Sequence, residues 1–156
     1  MAVDRKARTV LRNALVSYMT GAIRTFAFED QYSPCQDSLD ESVRLIARQV
    51  WYMHDELIDH PISVTSVGWE ALRRTIAFLG TDLDITAQLD GAAWPFQDET
   101  EWHANECLVN ELGLPDYDPE VHGRPANPWW NRIPSGIGFL ILAALLAAVF
   151  IVIALS

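Results

Sequence analysis

The final stretch of the chain, residues 136–156, reads GIGFLILAALLAAVFIVIALS and contains no charged side chain. About twenty helical residues that rise about 1.5 Å each cover about 30 Å, the thickness of the hydrocarbon core of a bilayer. A helix also satisfies its backbone hydrogen bonds internally, as lipid requires. The alternative, a helix buried in a protein core, needs a larger surrounding domain than the remaining residues provide. We therefore predict one transmembrane helix over residues 135–156.

The charges that flank this stretch predict its orientation. Arg124 and Arg132 precede the span and no basic residue follows it. The positive-inside rule then places the N-terminal domain in the cytoplasm and the C-terminus on the far side of the inner membrane. Residues 1–15, MAVDRKARTVLRNAL, lack the unbroken apolar region of a signal peptide. This pattern predicts a tail-anchored, single-pass protein.

Two features of the predicted span indicate how it is held in the membrane. Trp129, Trp130 and Arg132 stand just before it, which is the pattern of interfacial aromatic and basic anchors. Small side chains let a second helix approach closely in lipid. The span offers overlapping pairs of such residues four positions apart, which are Ala143, Ala144, Ala147 and Ala148.

Helical periodicity dominates the first 84 residues. Apolar stripes predict helices over residues 3–19, 25–32, 39–58 and 67–79. Thr20–Gly21 is a plausible stop for the first helix. Ser38 and Glu41 match the capping-box pattern at the start of the third. Four helices joined by short turns predict an all-α fold, a small antiparallel helical bundle over residues 1–84.

Residues 85–134 differ in composition, being rich in Pro, Gly, Trp and acidic side chains. We predict a mostly extended acidic linker with one short helix at about 98–112, begun by Asp98 and Glu101 and ended by Gly113. Trp94 and Trp102 lie too far upstream to be membrane anchors. They contact either the helical bundle of the same chain or a partner protein.

The formal net charge is −10, and nine acids but no Lys or Arg lie between Asp90 and Glu120. Nucleic-acid binding needs a basic surface, so this composition argues against it. The basic N-terminal helix is either a solvated face or a contact to lipid headgroups or an acidic partner. Cys35 and Cys107 are expected to be free thiols in a reducing cytoplasm.

The segment MHDELIDHP, residues 53–61, collects two histidines and three carboxylates. HDEL is the spelling of an endoplasmic-reticulum retention signal, but that signal is read only at a C-terminus. Carboxylate and imidazole also suit zinc, manganese or iron, although the H-E-x-x-H spacing is absent. The weak metal candidates are His54, Asp55, Glu56, Asp59 and His60. The preferred interpretation is a salt-bridge network in which Arg73 or Arg74 compensates these acids. A second weak metal candidate is the helical trio Glu99, His103 and Cys107.

Three segments, TFAFED, VRLIARQVWYMHDELIDHP and WEALRRTIAFLGTDLD, together resemble a family of small bacterial helical proteins of unknown function. Members share an AFEF-like helix, an A-R-x-x-W-Y helix that ends in an acidic D-H run, and a W-x-x-x-x-R helix. The resemblance covers about residues 10–84, and its most specific positions are Trp51, His60 and Trp69. It implies a helical fold and no known activity, and the chain departs from it after Asp84.

These patterns favour a non-enzymatic function without a cofactor. We expect an accessory or scaffolding subunit of a larger respiratory, photosynthetic, transport or secretion complex, in contact with integral membrane subunits and the lipid bilayer. No nucleophile or phosphate-binding motif is present in the sequence. One alternative is a metal-dependent enzyme or metal sensor built on residues 54–60. Another is a regulator that forms homo-oligomers through the alanine face.

Overall fold

The computed structural model describes residues 3–51, 58–86 and 92–123. All of them belong to the first of two units into which the chain divides, Met1–Arg124 and Pro125–Ser156. The predicted span, its anchoring residues Trp129, Trp130 and Arg132, and the alanine face lie outside the described residues. No helix within the described ranges has both the length and the apolar composition to cross a membrane.

Every regular element in the described residues is a helix and none is a strand, so the predicted all-α fold is confirmed. A 3₁₀ turn at Ser33–Asp37 joins the second and third helices. The helices in chain order are α1 Arg5–Met19, α2 Thr25–Tyr32, α3 Glu41–Trp51, α4 Ser66–Leu79, α5 Glu99–Asn105 and α6 Cys107–Asn110.

Local capping signals explain several helix ends. Asp4 begins α1 by accepting a hydrogen bond from the amide of Ala7 at 2.9 Å. Gly21 follows the end of α1 with a φ of 73°, a conformation that glycine adopts without steric cost. Asp98 accepts a hydrogen bond from the amide of Glu101 at 2.9 Å, as the sequence predicts for the start of α5.

The start of α3 differs from the prediction. Asp40, rather than Ser38, caps this helix, because its Oδ1 accepts hydrogen bonds from the amides of Ser42 at 3.0 Å and Val43 at 3.3 Å. The Ser38 hydroxyl instead donates to Asp4 at 3.2 Å. The predicted capping box is therefore wrong at this position.

The core is formed by one face of each long helix. Leu11, Leu15 and Ile76 are no more than 1% exposed and represent the contribution of α1 and α4. Four of the described residues that the sequence pattern places inside lie outside: Leu39, Phe26, Trp51 and Val10 are 86%, 44%, 42% and 39% exposed. Leu39 precedes the first turn of α3, so the helical stripe does not include it.

Residues 92–123 pack against this same core. Phe96, Trp102 and Val109 are at most 2% exposed and belong to the cluster that α1 and α4 form. Phe96 meets Phe78 of α4 edge to face, with ring centres 5.5 Å apart. The single helix predicted at 98–112 is divided at Glu106 into α5 and α6. The predicted domain boundary at residue 84 thus falls within the unit Met1–Arg124.

An ion pair lies within the fold. Arg8 of α1 and Asp40 are 0% and 1% exposed. The guanidinium of Arg8 donates to both carboxylate oxygens of Asp40, at 2.7 and 3.3 Å, and to the carbonyl of Thr81 after α4 at 2.8 Å. Burial alone would raise the pKa of Asp40. The hydrogen bonds and charge of Arg8, with the amide of Asp4, outweigh burial and lower that pKa below its ordinary value.

Asp40→Asn removes the buried counterion of Arg8 and leaves the guanidinium only the partly exposed carboxylate of Asp84, at 4.0 Å. We expect the free energy of unfolding of the purified chain in urea to fall by about 3–5 kcal/mol. Asp82→Asn is the matched control, because Asp82 pairs with Arg5 at the surface, and such pairs contribute about 0–1 kcal/mol. Equal losses of unfolding free energy in Asp40→Asn and Asp82→Asn would contradict the conclusion that the buried pair stabilises the fold more than the surface pair.

The lowered pKa of Asp40 also gives a pH dependence. A depressed folded-state pKa stabilises the fold above the unfolded pKa, and this contribution is lost as the pH falls through the folded value. The difference in unfolding free energy between the wild type and Asp40→Asn should therefore narrow below about pH 4. A difference that stays constant or widens in acid would contradict the pair's role.

Candidate functional site

Two residues of the histidine–carboxylate cluster, Asp59 and His60, lie within the described residues, and both contact the start of α2. Asp59 accepts a hydrogen bond from the amide of Phe26 in the first turn of α2, at 3.3 Å. The residue that precedes α2, Arg24, makes no capping side-chain bond of its own. Asp59 therefore caps α2 from a distant part of the chain. Arg24 Nε lies 3.4 Å from the same carboxylate.

His60 contributes its backbone to this junction. Its carbonyl accepts hydrogen bonds from the amide of Thr25 at 3.0 Å and from the Thr25 hydroxyl at 2.8 Å. That hydroxyl lies 3.2 Å from the hydroxyl of Tyr18, which extends the network into the core. Burial raises the pKa of Tyr18, partly offset by the Thr25 hydrogen bond, so the phenol is protonated at neutral pH.

These contacts correct one expectation about charge. Arg24 is the partner of Asp59, whereas Arg73 and Arg74 bind Glu70 and Arg74 also binds Glu99. Three of the five metal candidates, His54, Asp55 and Glu56, lie outside the described residues. Within the part of the chain that the structure describes, no three His, Cys, Asp or Glu side chains come together in a group able to hold a metal ion.

The second metal candidate does not assemble. Glu99 receives two hydrogen bonds from Arg74, at 3.0 and 3.3 Å. His103 lies 3.5 Å from Glu106 instead. Cys107 begins α6 after the break at Glu106. The break at Glu106 places Cys107 in a different helix from Glu99 and His103, so the single continuous helix on which the predicted trio depended is absent.

Three arginines hold the acidic segment 92–123 on the bundle. Arg12 of α1 donates to the carbonyl of Leu108 at 2.8 Å. Arg73 donates to the side chain of Asn110 at 2.9 Å. Arg74 binds Glu99 and the carbonyl of Ala92, and its guanidinium lies 5.5 Å from the ring centre of Trp102. The cations of α1 and α4 thereby anchor a segment that has no Lys or Arg of its own.

The two tryptophans that were candidate partner contacts lie in this segment. Trp102 is 2% exposed and packs against Phe96, with ring centres 5.7 Å apart. Trp94 is half-buried against the core. Both rings thus face the bundle of their own chain, and Trp102 has almost no surface left for a partner.

The surface charge is strongly acidic. The described residues include nine Lys or Arg and eighteen Asp or Glu. In the basic first helix, Arg8 pairs with the buried Asp40 and Arg12 binds the carbonyl of Leu108, whereas Arg5 pairs with Asp82 at the surface. Eight of the acids lie between residues 92 and 123. Glu111 and Asp116 are among the exposed ones.

Cys35 and Cys107 are both free thiols. Cys35 is 3% exposed, and burial raises the pKa of its thiol, with a further increase from the charge of Asp4. Since the thiolate is the nucleophilic form, this thiol is a weak nucleophile at neutral pH. Its position favours a packing role.

A site that the sequence did not suggest lies at residues 117–123, which we call the strap. Its His122 is 9% exposed and stacks on Trp69 of α4, with ring centres 4.2 Å apart and planes inclined by 25°. The carbonyl of His122 accepts a hydrogen bond from the amide of Val64 at 2.9 Å. No sequence motif marks His122, because Trp69 and Val64, the residues that it contacts across the fold, are more than fifty residues away in sequence.

Comparisons of the chain with models of known protein families, with curated proteins and with solved structures give no match. The resemblance to the family of small bacterial helical proteins stays a prediction.

Asp59→Ala tests the inter-segment cap on α2. Loss of the cap leaves the amide of Phe26 without its acceptor, and we expect the free energy of unfolding to fall by about 0.5–2 kcal/mol. Arg24→Ala removes only the half-exposed ion pair and should cost about 0–1 kcal/mol. If Arg24→Ala proves as damaging as Asp59→Ala in urea unfolding, the carboxylate acts through the ion pair rather than as a cap.

Proposed function

We propose that this protein is a non-catalytic, single-span accessory or scaffolding subunit of a larger membrane protein complex. Its helical domain lies on the cytoplasmic side of the inner membrane, and its C-terminus on the far side. Residues 135–156 anchor it in the bilayer beside integral membrane subunits. The proposal rests on the charge-free stretch 136–156 together with one structural observation, the acidic segment 92–123 fixed to the bundle.

The arginine contacts support a docking role because they make the acidic surface rigid. Arg12, Arg73 and Arg74 bind the inner side of the segment, while Phe96 and Trp102 enter the core. Carboxylates that are exposed on this segment, including Glu111 and Asp116, are therefore held in place before a partner arrives. Preorganisation of this kind lowers the entropic cost of binding.

Charge indicates the kind of partner. A surface with eight acids and no Lys or Arg attracts a basic protein surface and accelerates association with it. The same charge is repelled by the anionic lipids of the cytoplasmic leaflet and by nucleic acid. A basic cytoplasmic loop of an integral membrane subunit has the complementary charge, since such loops are enriched in Lys and Arg.

The chemistry of the buried groups supports a non-catalytic function. Burial raises the pKa of the Tyr18 phenol and of the Cys35 thiol, so both stay protonated at neutral pH. The buried carboxylate of Asp40 and the exposed carboxylate of Asp59 serve as helix caps. These groups stabilise the fold rather than form a reactive centre.

Purification of the tagged full-length protein from its native membrane in a gentle detergent tests the proposal. We expect a stoichiometric complex with basic membrane subunits. Glu111→Lys/Asp116→Lys should remove these subunits, because the double variant reverses the charge of the docking surface. Asp30→Lys/Asp37→Lys makes the same change in net charge on exposed residues of α2 and the 3₁₀ turn and should retain them.

Salt gives an independent measurement. Raising the ionic strength from about 0.1 M to about 1 M shortens the screening length from about 10 Å to about 3 Å. Co-purification through the acidic surface should therefore weaken with salt. A wild-type protein that arrives alone, or two double variants that behave identically, would overturn the proposal.

A further inference from the structure

We propose that the junction between the strap and the start of α4 is a docking site for a partner segment that combines basic and apolar side chains. Two exposed valines, Val67 and Val121, contact the apolar side chains of this segment. Three exposed carboxylates in and just before the strap, Asp116, Asp118 and Glu120, contact its Lys and Arg side chains. The inference rests on the proposed docking function and adds where the partner binds and what the bound segment contains.

The two valines are unusually open to solvent. Val67, in the first turn of α4, is 78% exposed, and Val121, in the strap, is 63% exposed. Within the described ranges, Leu39 is the one large hydrophobic side chain that is more exposed than Val67. Two of the three most exposed large hydrophobic side chains in those ranges therefore belong to one junction.

The fold itself gains little from these two side chains. A β-branched residue such as Val67 loses side-chain freedom in a helix, and the first turn of a helix favours acids, of which α4 has none there. Val121 lies in a turn, where small and polar residues are preferred. Single exposed valines are common on protein surfaces. Two valines at one junction, beside a row of carboxylates, point to a contact with another molecule.

Contacts of the strap bring the two valines to the same end of α4. The amide of Val64 donates to the carbonyl of His122 at 2.9 Å, and the His122 ring stacks on Trp69 with ring centres 4.2 Å apart. Val67 lies between Val64 and Trp69 in sequence, and Val121 directly precedes His122. Both valines therefore flank the junction, and the contacts of their neighbours hold it in place before a partner binds.

The charge of the junction indicates the rest of the partner's chemistry. Asp116, Asp118 and Glu120 are exposed, and residues 92–123 contain no Lys or Arg. The first basic residue after the strap in sequence is Arg124. The start of α4 carries the positive end of the helix dipole, so basic side chains suit the strap and apolar ones suit the helix start.

The same charge distinguishes between the molecules that could cover the two valines. A second copy docked through this surface would bring its carboxylates against those of the first copy, and like charges oppose such a contact. An anionic lipid surface is repelled in the same way. A wholly apolar segment would bury carboxylates without partners, which is costly. A protein segment with Lys or Arg beside apolar residues avoids all three penalties.

Two variants remove the apolar contacts while keeping the shape of the side chain. Val67→Thr and Val121→Thr replace exposed methyl groups by hydroxyls, so the urea midpoint of each variant should match that of the wild type. The tagged full-length protein is immobilised with its native complex in a gentle detergent, and the release of basic membrane subunits is followed over time. Each variant should release them about tenfold faster than the wild type, because less apolar surface is buried.

Leu39→Thr is the matched control, since it changes an equally exposed aliphatic side chain elsewhere. Leu39 directly precedes Asp40, which pairs with Arg8, and Arg8 binds the carbonyl of Thr81. Thr81 follows the last turn of α4, so Leu39 lies at the opposite end of this 14-residue helix from Val67. Basic subunits should leave Leu39→Thr at the wild-type rate.

The outcomes separate this inference from the proposed function. A wild type that retains basic subunits, with valine variants that release them no faster than Leu39→Thr does, would overturn the docking site and leave the proposed function standing. A wild type that carries no basic subunit would overturn both. Valine variants that instead weaken self-association of the purified protein, or its binding to vesicles of anionic lipid, would assign the surface to a second copy or to the membrane and overturn the basic segment.

Discussion

The Arg8–Asp40 ion pair joins three stretches of the chain that are far apart in sequence. Its guanidinium comes from α1, its carboxylate begins α3, and its third partner is the carbonyl of Thr81 after α4. A buried charge is costly unless its hydrogen-bonding groups are satisfied. Asp40 meets this condition by accepting bonds from Arg8 and from three backbone amides, two of which start α3. A shift of α1 or α3 would separate the two buried charges, and a shift of α4 would remove the third hydrogen-bond partner of Arg8, so the pair restricts how these helices pack.

The same pairing shapes the outer surface. Arg5, Arg8 and Arg12 make the first helix basic in sequence, but Asp82, Asp40 and the carbonyl of Leu108 take up these cations. The exposed surface therefore carries the excess of acid that the composition indicates. This distribution links the interior of the bundle to the proposed docking of a basic partner, because the arginines that stabilise the fold leave exposed carboxylates such as Glu111 and Asp116 outside.

Local signals predicted the fold well, and tertiary contacts explain the failures. The bounds of α1, α2 and α4 agree within two residues with the apolar periodicity and with stops such as Gly21. The cap of α3 was missed because hydrogen bonds from Arg8 orient the Asp40 carboxylate. No local sequence pattern reveals this contact. The contact of Trp102 with the bundle was one of two alternatives that the sequence left open. The docking of the rest of residues 92–123 was missed, because a few core side chains, Phe96 among them, lie within a sequence dominated by acids and prolines. The sequence pattern does not identify His122 either, because Trp69 and Val64, which it contacts in the fold, are far from it in sequence.

The acidic segment and the strap are continuous in sequence but differ in how they are attached. Arg12, Arg73 and Arg74 hold the first part, and a guanidinium stays charged at every physiological pH. The strap is held by backbone and ring contacts, because the amide of Val64 donates to the carbonyl of His122 and the His122 ring stacks on Trp69. A single segment therefore combines an acidic surface held by arginines with a strap held by residues that precede or begin α4.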